Sequence, residues 1–274
     1  MPGIFRQPND GDWNDSAFCL QRVTTDGRNL ARVPESLRTE EICMAAVTKN
    51  GIALQWTPEP LRDVRICTAA VRNNGFALEF VPPALRDREL CRMALRGTGY
   101  ALQYVPEELL DESLCLEAVR HDGNALKMVP PRCRSREVRL AAVRTYGLAL
   151  RCIPEAERTQ ELCLAAVTRD GGALALVPLH LRSPDICRMA VRKAGHMLEH
   201  VPLNLRTPEL CEMAVRDTGA ALTFVPDEVL DLDICRTAYE NYENESDVLN
   251  CIPMKFRDMI ENEESRRHRL LMSA

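Results

Sequence analysis

Nine cysteines, Cys19, Cys43, Cys67, Cys91, Cys115, Cys163, Cys187, Cys211 and Cys235, recur at a spacing of 24 residues, with Arg139 standing at the one vacant rung. A short fixed period confines a chain to repeat architectures, in which each unit buries its apolar face only by stacking on its neighbours. Glycines from Gly27 to Gly219 and prolines from Pro34 to Pro226 keep the same period through nine units without an insertion. A tenth unit begins at Asp231, gains three residues within 239–248 and recovers its Ile-Pro at Ile252 and Pro253, an irregularity expected of a terminal cap.

Within each unit the residue four before the rung is Asp15, Thr39, Asp63, Asp87, Asp111, Ser135, Thr159, Ser183, Thr207 or Asp231. All are N-cap types, whose side-chain oxygen takes up a backbone N–H orphaned by the helix start. Pro184 and Pro208 follow at the first helical position, and Glu41, Glu89, Glu137, Glu161, Asp185 and Glu209 place acid in the positive first turn. A helix therefore begins at each cap. Its apolar stripe, Ile186, Cys187, Ala190 and Val191 in the eighth unit, has helical spacing and reads as core. The phased glycine is expected to end this helix as a left-handed C-cap. A second, short helix carries Ala53–Leu54 or Ala173–Leu174 until a Val-Pro pair forces the chain out of the α region. A Pro-x-x-Leu-Arg segment, as in Pro34 to Arg38, closes the unit as one turn.

The unit Glu161-Leu-Cys-x-x-Ala-Val-x-x-x-Gly-x-Ala-Leu-x-x-Val-Pro-x-x-Leu-Arg resembles a family of short helical repeats catalogued as a domain of unknown function, over residues 15 to about 257. The family's copies occur in bacterial, viral and protist proteins, including those of host-associated bacteria. The resemblance implies a helical-repeat fold and use in host interaction, and it supplies no catalytic residues. This chain departs from the family pattern in its Val-Pro pairs and its cysteine ladder.

The expected architecture is an all-α solenoid of about ten 24-residue repeats, each a capped helix, a short helix and a one-turn Pro-x-x-Leu segment. Residues 1–14 read as a flexible N-terminal segment, 15–257 as the solenoid, and 258–274 as a C-terminal capping helix or tail.

Composition narrows the functional classes. A net charge of −5 with both signs spread along the chain argues against a nucleic-acid partner. Met1 to Asn14 lacks the apolar region of a secretory signal, and no apolar run reaches the roughly 18 to 20 residues that span a bilayer. Twelve cysteines diluted in a chain of this length read as reduced thiols in a cytoplasm, with delivery into a host cell as a further destination.

The rungs cannot converge on a zinc ion, which needs four ligands at about 2.3 Å, so the ladder reads as small apolar packing, as do Cys133, Cys152 and Cys251. His196-Met-Leu-Glu-His200 fits the H-x-x-E-H pattern of some zinc hydrolases, with Glu199 as base. It sits inside one repeat, however, with His200 in the slot held elsewhere by Trp56, Phe80, Tyr104 and Phe224. No catalytic residue, metal site or cofactor is expected, and the zinc reading stands as an alternative. Arg38, Arg62, Arg86, Arg134, Arg158, Arg182 and Arg206 precede the acidic first turn of the next helix and are expected to form local ion pairs. A second row, Arg72, Arg96, Arg120, Arg144, Arg192 and Arg216, falls on the solvent side of the capped helix with no acid as regularly phased beside it. Ile52, Phe76, Tyr100 and Leu148, at a position that varies between units, are expected to form either an exposed apolar strip or core. These two sets are the expected contact residues of a non-catalytic scaffold, monomeric and without a membrane role, whose partner is a protein of acidic or mixed surface. A nucleic-acid-binding solenoid using the arginine row is the other alternative.

Overall fold

The N-caps open each repeat as their chemistry dictates. In the computed structural model, which describes residues 12–241, 249–260 and 262, Asp63, Asp87 and Asp231 accept a hydrogen bond from the backbone N–H three residues on at 2.8 Å. The hydroxyl caps Thr39 and Ser183 reach the equivalent N–H at 3.4 and 3.5 Å. Ionised acceptors make the shorter bond.

The chain forms two compact units, residues 1–145 and 146–274. In the first, six capped helices, α1 (Ser16–Thr25), α2 (Glu40–Lys49), α3 (Val64–Asn73), α4 (Arg88–Gly97), α5 (Glu112–His121) and α6 (Arg136–Thr145), each pack on the next. Between them run 3-10 helices Gly27–Arg32, Gly51–Trp56, Gly75–Phe80, Gly99–Tyr104 and Gly123–Met128, which form a second layer of neighbours. The second unit repeats the scheme with α7 (Gln160–Arg169), α8 (Pro184–Lys193), α9 (Pro208–Asp217) and α10 (Leu232–Glu240) over 3-10 helices Gly147–Cys152, Gly171–Leu176, Gly195–His200 and Gly219–Phe224. Single 3-10 turns such as Glu59–Leu61 and Leu203–Leu205 close the repeats, and no strand occurs among the described residues. The chain is an all-α solenoid. Helices α2 to α5 and α7 to α9 each touch both the preceding 3-10 helix and their own, so Ile66, Cys67, Ala70 and Val71 of α3 and Ala77 and Leu78 of the next 3-10 helix are all buried.

The phased glycines do not take the left-handed cap conformation: no described glycine has a positive φ. The α-helix instead ends at the residue before the glycine, which is extended and caps twice. Asn50 closes α2 through its backbone N–H to Ala46, and its Oδ1 accepts from Ile52 N–H at 3.1 Å. Asp122 and Asp170 accept likewise at 2.9 Å. The glycine is required by close approach. A Cβ on Gly51, Gly75 or Gly195 would stand within 3.0 Å of the backbone carbonyl oxygen of Ala70, Ala94 or Ala214 in the following repeat. Backbone cannot yield there as a flexible side chain can.

The repeat-closing arginines do not form the expected ion pairs. The Nε of Arg86 donates to the Val81 carbonyl at 2.9 Å, its Nη2 to Glu79 at 3.0 Å, and its Nη1 to Tyr104 of the next repeat at 3.0 Å. Arg38 and Arg62 in the first unit, and Arg158, Arg182 and Arg206 in the second, make the same bridge. Each 3-10 helix exposes carbonyls at its end, and the guanidinium fork supplies several donors in a fixed plane. That local demand outcompetes the solvated carboxylate of the next helix.

Near the C-terminus, residues 254–260 are helical and Ile252 and Ile260 are buried, while Met254 and Met259 are exposed. Most of the expected capping helix, and residues 1–11 of the N-terminal segment, lie outside the described residues.

Candidate interaction surface

Burial divides the repeat into a fixed skeleton and a variable exterior. The nine ladder cysteines are fully buried, and the thiols of Cys43 and Cys187 lie 3.7 and 3.8 Å from the carbonyl oxygens of the preceding Arg38 and Arg182. Burial pushes Cys67, Cys91, Cys187, Cys211 and Cys235 up to about 11. Cys115 rises to about 12, first from burial and then from the neighbouring Cys133 thiol. Among the strays, Cys133 is buried and Cys152 half-buried, but Cys251 is exposed and does not serve as packing.

All six arginines of the second row are exposed on the α-helical layer. They are not an unbroken positive stripe. Glu117 of α5 accepts from both Arg92 and Arg96, at 3.0 and 3.2 Å, Arg120 lies 3.6 Å from Glu137, and Arg216 pairs with Glu212 one turn back. Arg72, Arg144 and Arg192 have no ion pair with a described residue. No acid is phased as regularly as the row, and those that reach it come singly, Glu117 and Glu137 from the following helix and Glu212 from the same helix.

The apolar set stands on the 3-10 layer. Phe76 is exposed, and Ile52, Tyr100 and Leu148 are half-buried, so none joins the core. Ile52, Phe76 and Tyr100 occupy three neighbouring 3-10 helices of the first unit, whereas Leu148 belongs to the second. Lys127 lies 4.6 Å from the Tyr100 ring centroid. The two expected sets are therefore not one site but the exteriors of two layers.

The His-x-x-Glu-His segment forms the 3-10 helix Gly195–His200, not an α-helix. At about three residues per turn, residues four apart diverge by about 120°, whereas an α-helix would stack them. His196 is exposed and the His200 carbonyl accepts from Arg182, so the segment serves the inter-repeat bridge. Among the described residues no three His, Cys, Asp or Glu side chains cluster as metal ligands.

Two grooves recur in one register. The first, about 210 Å³, lies between α3 and α4 and is lined by Val64, Thr68, Leu85, Leu90 and Met93. The second, about 380 Å³, lies between α8 and α9 and is lined by Pro184, Arg188, Leu205, Leu210 and Met213. In both, methionine stands two residues after the ladder cysteine, where Ala45, Ala69, Ala141 and Ala165 stand in four other repeats, a difference readable in the sequence. The double-capping Asx residues before the glycines were also legible there, since Asn or Asp precedes Gly27, Gly51, Gly75, Gly123 and Gly171.

This geometry defines an array of two-layered helical repeats in which the layers, and not an inserted loop, carry the variable side chains. The family model described as Domain of unknown function (DUF4116) matches residues 15–62, 63–110 and 111–156, and the chain belongs to that family. Each match begins at an N-cap, Asp15, Asp63 or Asp111, and the first two each cover a pair of repeats. No curated protein and no solved structure matches the chain. No described helix is long and apolar enough to cross a membrane.

Proposed function

We propose that this protein is a non-catalytic scaffold that binds another protein of acidic or mixed surface through side chains displayed on consecutive repeats. The observation that carries this reading is the run of Ile52, Phe76 and Tyr100, outside the core on three neighbouring 3-10 helices whose buried residues hardly change. Stacking does not need these side chains, and three adjacent apolar or aromatic groups on a rigid frame suit a protein interface. Arg72, Arg96 and Arg120 add charge on the α-helical layer, where it speeds encounter and selects against like-charged partners. The partly neutralised row favours a mixed-charge protein over a phosphate track, which gains from uninterrupted cations. We place the protein in a reducing compartment, the cytoplasm of its own cell or of a host, as suits a core lined with free thiols.

The test is affinity capture with the purified chain, from lysates of its own cell and of a host, alongside two variants. One is Ile52→Ser/Phe76→Ser/Tyr100→Ser and the other is Arg72→Glu/Arg96→Glu/Arg120→Glu. The proposal expects one protein near stoichiometry with the parent chain and its loss from the apolar variant. Equal recovery on both variants overturns it.

A further inference from the structure

Cys133 ends the repeat-closing 3-10 turn Pro131–Cys133, at the place held by Leu37, Leu61, Leu85, Leu109, Leu181 and Leu205 in six other repeats and by Glu157 and Val229 in two more. Those leucines are half-buried, whereas the shorter Cys133 sinks to 7% exposure. Its thiol turns back along the chain and donates to the Leu110 carbonyl at 3.8 Å, across 23 residues. That carbonyl has a counterpart in three other repeats, where the ladder thiol itself reaches the carbonyl five residues before it. Cys43 lies 3.7 Å from that of Arg38, Cys91 3.9 Å from that of Arg86, and Cys187 3.8 Å from that of Arg182.

Five residues after Leu110 stands Cys115 of α5, fully buried. Cys133 therefore approaches the carbonyl that belongs to the Cys115 rung, and the two thiols are hydrogen-bonding neighbours. The other ladder thiols have their neighbouring rungs a full repeat away. Cys133 is the more accessible of the pair, and the Arg132 guanidinium, which is also bonded to Glu107 at 2.6 Å, interacts with its thiol. A cation beside a thiol favours the thiolate, the form that reacts with oxidants.

From this pairing we infer that Cys115 and Cys133 form an oxidation site, which hydrogen peroxide converts to a disulfide joining the opening helix of one repeat to its closing turn. The Cys133 sulfur attacks a peroxide oxygen, the O–O bond breaks, and the departing oxygen leaves as water with the thiol proton, giving a sulfenic acid. The Cys115 sulfur then displaces the hydroxyl from the Cys133 sulfur, and its own proton leaves with that hydroxyl as a second water. Two electrons pass from the thiol pair to one peroxide. The loop so closed contains the 3-10 helix Gly123–Met128, whose Lys127 lies 4.6 Å from the Tyr100 ring centroid, so the bond fastens the repeat beside the displayed side chains. This chemistry does not depend on the scaffold reading.

The test treats the full, folded chain with dilute hydrogen peroxide, alkylates the remaining thiols after denaturation, and maps the peptides by mass spectrometry. A Cys115–Cys133 cross-link is expected, two hydrogens lighter than its separate peptides and reversed by dithiothreitol. Its yield should fall several-fold when the same oxidation is carried out in urea, where the fold no longer holds the pair together. Cys133→Leu restores the residue found at this place in six other repeats, and circular dichroism checks that it folds. In that variant Cys115 should remain a thiol. Three results would overturn the site: Cys115 and Cys133 both still reduced in the native chain when Cys152 and Cys251 are consumed, Cys133 carried to sulfinic acid beside an intact Cys115 thiol, or Cys115 oxidised as fully in Cys133→Leu as in the parent. An equal cross-link yield in urea would overturn it as well.

Discussion

Arg38 reaches across to the following repeat, its Nη1 donating to the Trp56 carbonyl at 2.9 Å while its Nε holds Val33 of its own repeat at 2.9 Å. The same bridge recurs in both units, and Leu110 and Leu230 replace the arginine at two repeat ends. Cohesion between repeats thus rests on hydrogen bonds from a cation to carbonyls as well as on apolar stacking.

Replacing Arg86 with Met keeps the stem but removes three donated bonds. A hydrogen bond to a charged group contributes about 1.5–3 kcal/mol when buried, and partial exposure lowers this, so a loss of about 2 kcal/mol is expected in urea unfolding. Leu110→Arg should act in the opposite sense and slow amide exchange around α5. Unchanged stability in Arg86→Met would show the bridge to be incidental.

Gly75→Ala should be among the most damaging single substitutions, because its Cβ would run into the Ala94 backbone. A cost of about 3 kcal/mol is expected, the upper range for overpacking. Gly172→Ala should be nearly neutral, since the nearest atom to its Cβ is the Asp170 carboxylate, a side chain able to move. Thermal melts of the two variants check this contrast.

The thiols give a pH signature. Cys67, Cys91, Cys187, Cys211 and Cys235 titrate near 11 when folded, above the ordinary value of 9.0. The folded state therefore holds more protons between these values, and stability should fall as pH rises from about 9 towards 11. Below pH 9 this contribution is fully present. Melting temperatures across pH 7 to 11 measure it, and a Cys91→Ala/Cys187→Ala chain should show a shallower alkaline decline.

The same burial predicts labelling. In the native protein at pH 8, a thiol reagent should modify exposed Cys251 and then half-buried Cys152, leaving the ladder unmodified until the chain unfolds. Mass spectrometry of partly labelled protein gives the order, and early labelling of a ladder cysteine would contradict the packing.

How much of this was legible in the sequence follows from which interactions are local. Asp63 announces its helix because a cap bonds three residues away, and Ile66, Cys67, Ala70 and Val71 announce a buried face because periodicity is local too. Gly75 was legible as essential but not for its reason, since the atom that excludes a side chain belongs to Ala94 in another repeat. Arg86 was misjudged and the partner of Arg96 was not seen for the same cause: Tyr104 and Glu117 become their neighbours only after stacking. The surface was legible as a set of variable positions, but its division between two layers required the 3-10 helices.

The central claim is that a protein is held by the displayed side chains. Its most direct test is calorimetric titration of the captured protein into the parent chain and into the Ile52→Ser/Phe76→Ser/Tyr100→Ser variant, with circular dichroism confirming that both are folded. The account predicts saturable one-to-one binding by the parent and a loss of at least about tenfold in the variant, the effect of removing clustered aromatic anchors. Equal affinity for both would contradict it.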